Sequence, residues 1–281
     1  MAITNFIPTV WSENLYQALD RQYIGVAHCN REYEGEIKEK GNVVKICGIG
    51  NVSVSDYTKN TNMKAPDTLS DTVRELSINQ AKYFNFQLDD VDRTQASPQL
   101  MELAMKNAAN ALANAADIYV YRQVNYAGHQ AVCNTLNGDS VIEALIDQRT
   151  YLMEQNVSDP GDIVIEVTPA VAALIMKEKM NLSTDNSDMM EHGCIGSIYG
   201  CKIFVSNNVP ISYEDDYLAH RCMIRTKRAI AFADQLSEIE AYRPELRFAD
   251  AVKGLHLYGA KVVYPDEVVC FEVRVPHPEE E

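Results

Sequence analysis

The chain has 281 residues, a formal net charge of −15 and a hydrophobic fraction of 46 %, which together exclude several classes of protein. The apolar content is enough to bury the core of one large domain or two smaller ones, and a charged fraction of 23 % argues against global disorder. The negative charge excludes a protein that coats nucleic acid by neutralising its phosphates, although it allows one that encloses nucleic acid. No apolar run approaches the roughly 20 residues that cross a bilayer, and the N-terminus lacks a signal peptide, so we expect a cytoplasmic protein that does not enter membranes.

The first predicted element is a short amphipathic helix between Val10 and Tyr23, behind a loose N-terminal tail. Its helical spacing is carried by Trp11, Leu15, Ala18, Leu19 and Gln22. The periodicity leaves two interpretations open. The helix packs on the core of its own chain, or it is an arm that reaches a neighbouring subunit.

Residues 42–90 are extended and rich in polar side chains, and they contain two predicted strands. The first is NVVKICGIGNVSVSDY and the second is VRELSINQAKYFNFQLDDVD, in which the even positions are apolar: Leu76, Ile78, Phe84, Phe86 and Leu88. The turn-forming stretch TKNTNMKAPDTLSD lies between them. We therefore predict a long two-stranded hairpin with a flexible tip. It must pack on another surface, either of its own chain or of another chain, because an isolated hairpin is only marginally stable in water. Gly48 and Gly50 lack the third glycine and the following helix of a phosphate-binding loop.

A long helix is predicted from Ser97 to Val124. Ser97 suits the N-cap, Pro98 suits the first helical position, and seven alanines between positions 104 and 116 favour the helical state. We predict that one stripe of this helix faces the core. Its members are Leu100, Leu103, Ala104, Asn107, Ala108, Ala111, Ala115, Ile118 and Tyr119.

Residues 140–212 have the pattern of a compact α/β unit. Ser140 could cap a helix that carries Val141, Leu145 and Leu152, and DIVIEV is a short buried strand. Thr168 is expected to cap a helix that starts at Pro169. The segments GSIYGCKIFVSNNVP and AIAFADQ then predict strands. The chain closes on a sheet over residues 247–275, with four apolar side chains on one face: Val269, Phe271, Val273 and Val275.

The sequence lacks HExxH, GxSxG and the Walker phosphate-binding motif, and we predict no catalytic, cofactor-binding or metal-ligating residue. His192, Cys194 and Cys201 lie near one another, but three soft ligands without paired spacing do not make a zinc motif. The seven scattered cysteines are expected to be reduced and mostly buried. Two acidic pairs, Asp89-Asp90 and Asp215-Asp216, are expected in solvated loops. Arg225 with Lys227-Arg228 is expected to be a subunit contact or a solvated face.

The ending RAIAFADQLSEIEAYRPELRFADAVKGLHLYGAKVVYPDEVV resembles the closing segment of tailed-bacteriophage major capsid proteins. The positions that match this family pattern are Phe248, Asp250, Tyr258, Gly259 and Val263. The segment GSIYGCKIFVSNNVP is similar to the strand pair of their second domain, through Gly196, Gly200, Ser206, Asn207 and Pro210. Earlier, KGNVVKICGIGNVSVSDY and NFQLDDVDRTQA look like the extended loop and the approach to the long helix of that family. The order and spacing of these segments extend the resemblance over nearly the whole chain.

The resemblance implies an α+β Hong Kong 97-type fold with four parts. These are an N-terminal arm (1–40), an extended loop (41–90), a peripheral domain (91–134 and 216–281, with a spine helix over 97–124) and an axial domain (135–215). It implies a shell subunit that assembles through pentamers and hexamers around double-stranded DNA. The implied partners are further copies of the chain and, in addition, scaffolding, portal and decoration proteins. Some relatives crosslink a loop lysine to an asparagine, and Lys59 and Lys64 lie near the predicted loop tip.

Three alternatives stay open at the level of the sequence. A bacterial encapsulin-type nanocompartment shell shares the same fold. A cytoplasmic enzyme would place its site within residues 135–215, around His192 and Cys194. An adaptor or decoration protein would be present in far fewer copies per particle than the main shell protein.

Overall fold

The fold, seen in a computed structural model, combines helices with several antiparallel and mixed β-sheets, as expected for an α+β protein. The structure describes residues 15, 18–19, 22–32, 43–49, 56, 59, 62, 71–89, 99–134, 138–155, 160–178, 194–198, 200–214, 216–246 and 249–276. The helices in these ranges are α1 (Gln99–Tyr121), α2 (Gly138–Glu154) and α3 (Pro169–Glu178). The strands are β1 (Val43–Ile49), β2 (Asp71–Ser77), β3 (Gln80–Asp89), β4 (His129–Asn134), β5 (Ile163–Val167), β6 (Cys194–Ile198), β7 (Cys201–Val205), β8 (Ile211–Tyr213), β9 (Tyr217–Thr226), β10 (Ile230–Tyr242), β11 (Ala249–Val262) and β12 (Val268–Pro276).

A seven-stranded sheet forms one half of the molecule, in the order β4-β12-β9-β5-β7-β6, with β8 paired to β9. One face of this sheet is covered by α2 and α3, which bury Leu145 and Ile175 against Phe271. The other face contributes Val268 and Cys270 to a second core that also contains α1. Because the central strands are buried on both faces, their sequences are nearly continuous apolar runs rather than alternating ones.

The other half is a stack of three layers. The sheet β10-β11-β3 lies in the middle, α1 packs on one of its faces, and the antiparallel pair β1–β2 packs on the opposite face. On the α1 side, Phe232 and Tyr258 are fully buried. On the other side, the pair β1–β2 buries four apolar side chains against Ala231, Ala233 and Leu257 of the sheet, and these four are Val44, Ile46, Leu76 and Ile78.

The long helix is present, but the prediction of its buried face was wrong. Leu103 is 57 % exposed, Asn107 and Ala111 are exposed, and Ile118 is 37 % exposed. The buried face is a different stripe, formed by Met105, Ala109, Leu112, Ala113, Ala116, Val120 and Tyr121. Alanines occur on every side of this helix, so the apolar periodicity fits two faces, and tertiary packing selects the one that carries the larger Leu112 and Tyr121. Ser97 and Pro98 lie outside the described residues.

The predicted continuous strand after the loop is two strands that belong to different layers. β2 pairs with β1, and β3 pairs with β11 in the three-stranded sheet. The chain leaves the first layer at Ile78–Asn79, where the Tyr119 hydroxyl donates a hydrogen bond to the Asn79 side-chain oxygen at 3.0 Å. The apolar residues at even positions are interrupted by Gln80 and Lys82 directly after this step, so the gap in the alternation is the sequence signal of the break.

The predicted terminal sheet is also divided. β11 lies in the three-stranded sheet and β12 in the seven-stranded sheet, joined by a single 3₁₀ turn over Pro265–Glu267. The strands on either side of the predicted boundary at residue 215 share the seven-stranded sheet, since β9 pairs with β5 and β12 pairs with β9. The four-part division itself stays a prediction.

Near the N-terminus, Leu15 and Leu19 are helical and buried in the core that contains α1. This supports the interpretation of the predicted helix as packed on its own chain at these positions. The first fourteen residues, which include Trp11, lie outside the described ranges. At α3, the Thr168 hydroxyl accepts a hydrogen bond from the Val171 N–H at 3.4 Å, which confirms Thr168 as the N-cap.

Candidate functional site

A short segment, residues 23–31, crosses the molecule between its two halves, and we call it the clasp. Both of its ends reach one buried carboxylate, Asp234 of β10. The Tyr23 hydroxyl donates to Asp234 at 3.0 Å, and an Arg31 guanidinium nitrogen lies 3.6 Å from its other oxygen. His256 of β11, fully buried, contacts the same carboxylate at 3.1 Å. The two ends of the clasp are therefore fixed to the three-stranded sheet at one point.

The middle of the clasp is held by side chains from the other elements. The Asp117 carboxylate of α1 accepts hydrogen bonds from the Ile24 and Val26 N–H groups, each at 3.0 Å. Arg225 of β9 donates to the Gly25 carbonyl oxygen at 2.7 Å. Because α1, β9 and β10 all hold it, the clasp joins the seven-stranded sheet to the layered half.

Arg225 and Glu166 form an ion pair in the interior, and both side chains are fully buried. The guanidinium donates to the two carboxylate oxygens of Glu166 at 2.9 and 3.0 Å, which is the bidentate geometry that strengthens such pairs. Burial alone would raise the pKa of Glu166, but the charge of Arg225 and the hydrogen bonds from His28 and Arg225 together outweigh it and leave that pKa below its ordinary value. The pair is therefore ionised at neutral pH.

The two buried aspartates at the clasp have opposite pKa shifts. Burial raises the pKa of Asp117 to about 6, although the N–H groups of Val26 and Ile24 act against it. Burial also acts to raise the pKa of Asp234, but the hydrogen bond from His256 and the positive charge of Arg31 leave it below its ordinary value. The difference arises because Asp234 faces basic side chains and Asp117 faces backbone amides.

The outer face of the three-stranded sheet is only half covered. The pair β1–β2 covers the part of this face that contains Ala231, Ala233 and Leu257. The remaining part, which we call the distal half, exposes Tyr83 (78 %) and Leu255 (37 %), which are opposite one another in the β3–β11 register. The same residues line a shallow cavity of 330 Å³ with Glu240 and Lys253. An apolar pair on an otherwise polar sheet face is typical of a contact surface.

A larger groove of 780 Å³ lies beside the base of the β1–β2 pair. Arg74 of β2, Tyr126 and Lys261 of β11 line it, and Tyr126 is 66 % exposed. The groove is open, and its lining lacks a nucleophile paired with a general base. Its shape and residues suit contact with another protein surface better than enclosure of a small substrate.

The two described cysteines of the candidate metal site, Cys194 and Cys201, lie in different hydrophobic clusters. Cys194 packs with Val164 and Phe204, whereas Cys201 lies in the core beneath α2 and α3, and His192 is outside the described residues. Within the described ranges, no three His, Cys, Asp or Glu side chains are grouped closely enough to hold a metal ion.

Among the remaining polar candidates in the described ranges, Arg225 differs from the expectation, whereas Asp216, Lys227 and Arg228 are exposed as expected. Arg225 is buried, which corrects the expectation of a solvated or subunit-contact cluster. Arg228 is half-exposed and donates from Nε to both carboxylate oxygens of Glu267 at 2.9 and 3.0 Å, and Lys227 lies 3.9 Å from Asp162. The side chain of Asp216 and that of Lys59 are exposed. The side chain of Asp89, together with Lys64, Asp90 and Asp215, lies outside the described part.

Sequence reasoning missed the clasp and its anchors. A carboxylate inside the apolar run of β5 was the available signal, because Glu166 in such a run requires a buried cation. Asp117 gave a weaker signal, as an acidic residue that directly follows the alanine-rich part of α1. The predicted state of the thiols is confirmed for six of the seven cysteines, which are buried and reduced. Burial raises the pKa of Cys29 to about 11 and that of Cys222 to about 12, so both are unreactive at neutral pH.

Comparison with solved structures places the chain among phage proteins. A structure titled Mycobacterium phage Che8 is 30 % identical, covers 89 % of this chain and 91 % of that chain, and superposes with a TM-score of 0.69. The chain belongs to the phage capsid proteins of the Hong Kong 97-type fold. The capsid of Ralstonia phage GP4 has a TM-score of 0.72 at 11 % identity, with 94 % of this chain and 92 % of that chain covered.

A virus-like particle from Pyrococcus furiosus shares the fold at a TM-score of 0.56 and 13 % identity, with 92 % of this chain and 96 % of that chain covered. No family model matches the sequence. No curated protein matches it either. As a member of this capsid family, the chain is a structural protein of a phage shell, in which copies associate with one another. Among its described helices, none combines the length and the apolar character needed to span a bilayer.

Proposed function

We propose that this capsid protein is the major capsid protein of a tailed phage and that it assembles through pentamers and hexamers into the icosahedral shell around double-stranded DNA. The observation that carries the proposal is the 30 % identity to the Mycobacterium phage Che8 structure over 89 % of this chain. A shell subunit of this kind acts by geometry, so we infer that it is not an enzyme. Assembly takes place in the host cytoplasm, and the shell is part of the virion.

The exposed surfaces of the chain support this proposal. Tyr83, Leu255 and the open groove at Tyr126 offer contact area on the layered half of the subunit. Stable subunit interfaces bury on the order of 1,200–2,000 Å² in total, which a single shallow cavity does not supply. Several such surfaces used together by neighbouring copies would reach that area.

We infer that the subunit has four parts. Residues 1–40 act as the N-terminal arm and 41–90 as the extended loop, of which the pair β1–β2 and the strand β3 pack within the subunit itself. Residues 91–134 and 216–281 form the peripheral domain, and 135–215 form the axial domain directed to the symmetry axes. The net charge of −15 suits a wall that encloses DNA without sequence-specific binding. Scaffolding, portal and decoration proteins are the proposed further partners.

Electron microscopy of the expressed protein, alone and with the products of neighbouring genes, tests the proposal. Closed particles or rings of five and six subunits are the expected result. A compact monomer under every assembly condition would contradict it. Sizing chromatography of the same samples gives an independent measure of the assembled fraction.

The alternative function is the shell of an encapsulin-type nanocompartment, which the fold shared with the Pyrococcus furiosus virus-like particle favours. The 30 % identity to the Che8 structure, against 13 % to the Pyrococcus furiosus particle, supports the phage shell as the first proposal. Nucleic-acid staining and mass spectrometry of purified particles separate the two functions. Packaged double-stranded DNA supports the phage shell, and a protein cargo in a small particle without DNA supports the compartment.

A further inference from the structure

The groove beside the base of the β1–β2 pair presents two cations and an exposed aromatic ring, and we call it the basic groove. Arg74 of β2 and Lys261 of β11 line it together with Tyr126, which is 66 % exposed. Within the described ranges, neither cation has a carboxylate at ion-pair distance. The groove volume of 780 Å³ lies in the range of about 300–1,000 Å³ that is typical of ligand sites. The basic groove therefore offers a positive surface to a short segment with negative charge.

One carboxylate also lines the basic groove, but it has a cation of its own beside it. Glu75 lies directly opposite Lys45 in the β1–β2 register, and both side chains are exposed. Opposite charges at such cross-strand positions attract one another. The charge that the groove offers to a partner is therefore set by Arg74 and Lys261.

The sequence contains two runs of three consecutive acidic residues, and one of them is held in a turn. Residues 214–216 lie between β8 and β9, where the Glu214 N–H donates a hydrogen bond to the Tyr217 carbonyl oxygen at 3.1 Å. The other run, residues 279–281, ends the sequence HPEEE that follows β12. Segments that contain proline dock on grooves with exposed aromatic rings, and Pro278 directly precedes the acidic run. This segment therefore matches both the cations and the Tyr126 ring of the basic groove.

Residues 277–281 of the same chain are too far from the basic groove to fill it. The groove ends at Gly128 and Pro265, where β4 and β12 both start, and the two parallel strands run away from it. The nine residues of β12 cover roughly 26 Å before Pro276, whereas five extended residues reach at most about 18 Å. An acidic segment of this sequence in the groove must therefore come from a second copy.

We propose that the basic groove binds residues 277–281 of a second copy of the chain. The glutamates of that copy pair with Arg74 and Lys261, and its Pro278 packs on the Tyr126 ring. The contact rests on the proposed shell function, since a shell is what brings copies next to one another. It ties each subunit to a neighbour through one short acidic segment, and high salt weakens it because exposed ion pairs are screened.

Photo-crosslinking from the basic groove tests the contact in the full-length protein. The photoreactive p-benzoylphenylalanine replaces Tyr126, particles are assembled from a mixture of isotope-labelled and unlabelled chains, and crosslinked peptides are identified by mass spectrometry. We expect crosslinks to the peptide that contains residues 277–281, including pairs that join a labelled peptide to an unlabelled one. Crosslinks that form only within one chain, only to another segment or only to nucleic acid would overturn the proposal.

Charge reversal assigns the contact to the two cations. The double variant Arg74→Glu and Lys261→Glu is expected to lower the yield of this crosslink about fivefold. Replacement of the three glutamates at 279–281 by lysine in the same chain is expected to restore the yield. Lys202→Glu, at an exposed lysine of β7, is the matched control and should leave the yield unchanged. An equal loss in the control, or a loss that the lysine segment does not restore, contradicts the pairing.

A peptide experiment separates failure of this contact from failure of the shell proposal. The dispersed full-length protein with the same crosslinker at position 126 is mixed with VPHPEEE, the sequence of residues 275–281, or with VPHPQQQ as the uncharged control. Crosslinking to VPHPEEE is expected to be about fivefold higher at low salt and to approach the control as salt is added. Equal crosslinking of the two peptides overturns the contact, whether or not closed particles form. A preference for VPHPEEE without any closed particles supports the contact and counts against the shell alone.

Discussion

The two sheets of the subunit differ in how completely their own chain covers them. The central strands of the seven-stranded sheet are enclosed on both faces, and the sheet even contains a fully buried ion pair, Arg225–Glu166. The three-stranded sheet is covered by α1 on one face and on only half of the other, where Tyr83 and Leu255 remain exposed. The first sheet supplies the stability of the subunit, and the second offers surface that other copies can complete.

The largest loss of stability is expected when the ion pair of the enclosed sheet is broken. Arg225→Met leaves the buried Glu166 without its guanidinium partner, with only the His28 ring nitrogen 3.7 Å away, and removes donors to the Gly25 and His28 carbonyl oxygens. We expect the free energy of unfolding to fall by about 5 kcal/mol, measured by urea denaturation. The double variant with Glu166→Met should recover part of this loss, since both charges are then absent. A loss below about 1 kcal/mol in the single variant would show that the interior pair is open to water.

A matched pair of aromatic substitutions distinguishes the sheets directly. Phe271 is fully buried in the seven-stranded sheet, and Phe271→Ala is expected to cost about 3–5 kcal/mol in the free energy of unfolding. Tyr83 is 78 % exposed. Tyr83→Ala is therefore expected to change the free energy of unfolding by less than about 0.5 kcal/mol, while it lowers the yield of assembled particles. Urea denaturation and sizing chromatography measure the two effects. Equal stability losses would remove the distinction between the sheets.

Much of the enclosed sheet could be predicted from the sequence, because its pattern is local. The alternation of Val269, Phe271 and Val273 identifies β12, and Thr168 followed by Pro169 identifies the start of α3. The same local pattern does not predict which strands pair with one another. That β11 and β12 lie in different sheets depends on contacts between residues far apart in sequence, which alternation does not encode.

The buried polar anchors were harder to predict than the core. Asp117, Glu166, Arg225 and Asp234 come from four elements, and the clasp that they hold is an irregular segment without periodicity. The sequence places Arg225 in a basic cluster with Lys227 and Arg228, which favours a solvated face or a subunit contact, and its partner in the interior, Glu166, lies 59 residues away. Such sites are visible only when the fold brings them together.

A smaller effect is expected where the β1–β2 pair meets the three-stranded sheet. A Cβ atom at Gly259 would lie 2.4 Å from the Ser77 carbonyl oxygen, so Gly259→Ala must displace backbone. We expect a loss of about 1–3 kcal/mol in the free energy of unfolding, measured by thermal denaturation followed by circular dichroism. The matched control is Gly254→Ala in the distal half, where the obstacle is the half-buried Phe84 ring, which can rotate. If Gly254→Ala lowers the free energy of unfolding more than Gly259→Ala does, the distal half is packed more rigidly than its exposure indicates.

The smallest effect is expected at the surface ion pair of the distal sheet. The Lys253 Nζ atom lies 2.7 Å from Glu240 Oε2 and above the Tyr242 ring. Both charged side chains are about half-exposed. Because solvent screens such pairs, Lys253→Met should lower the free energy of unfolding by less than about 1 kcal/mol, and added salt should reduce the difference further. Urea denaturation at low and high salt measures both quantities. A loss above about 2 kcal/mol that resists salt would mean that this face is stabilised within the chain, and that neighbouring copies contact the subunit elsewhere.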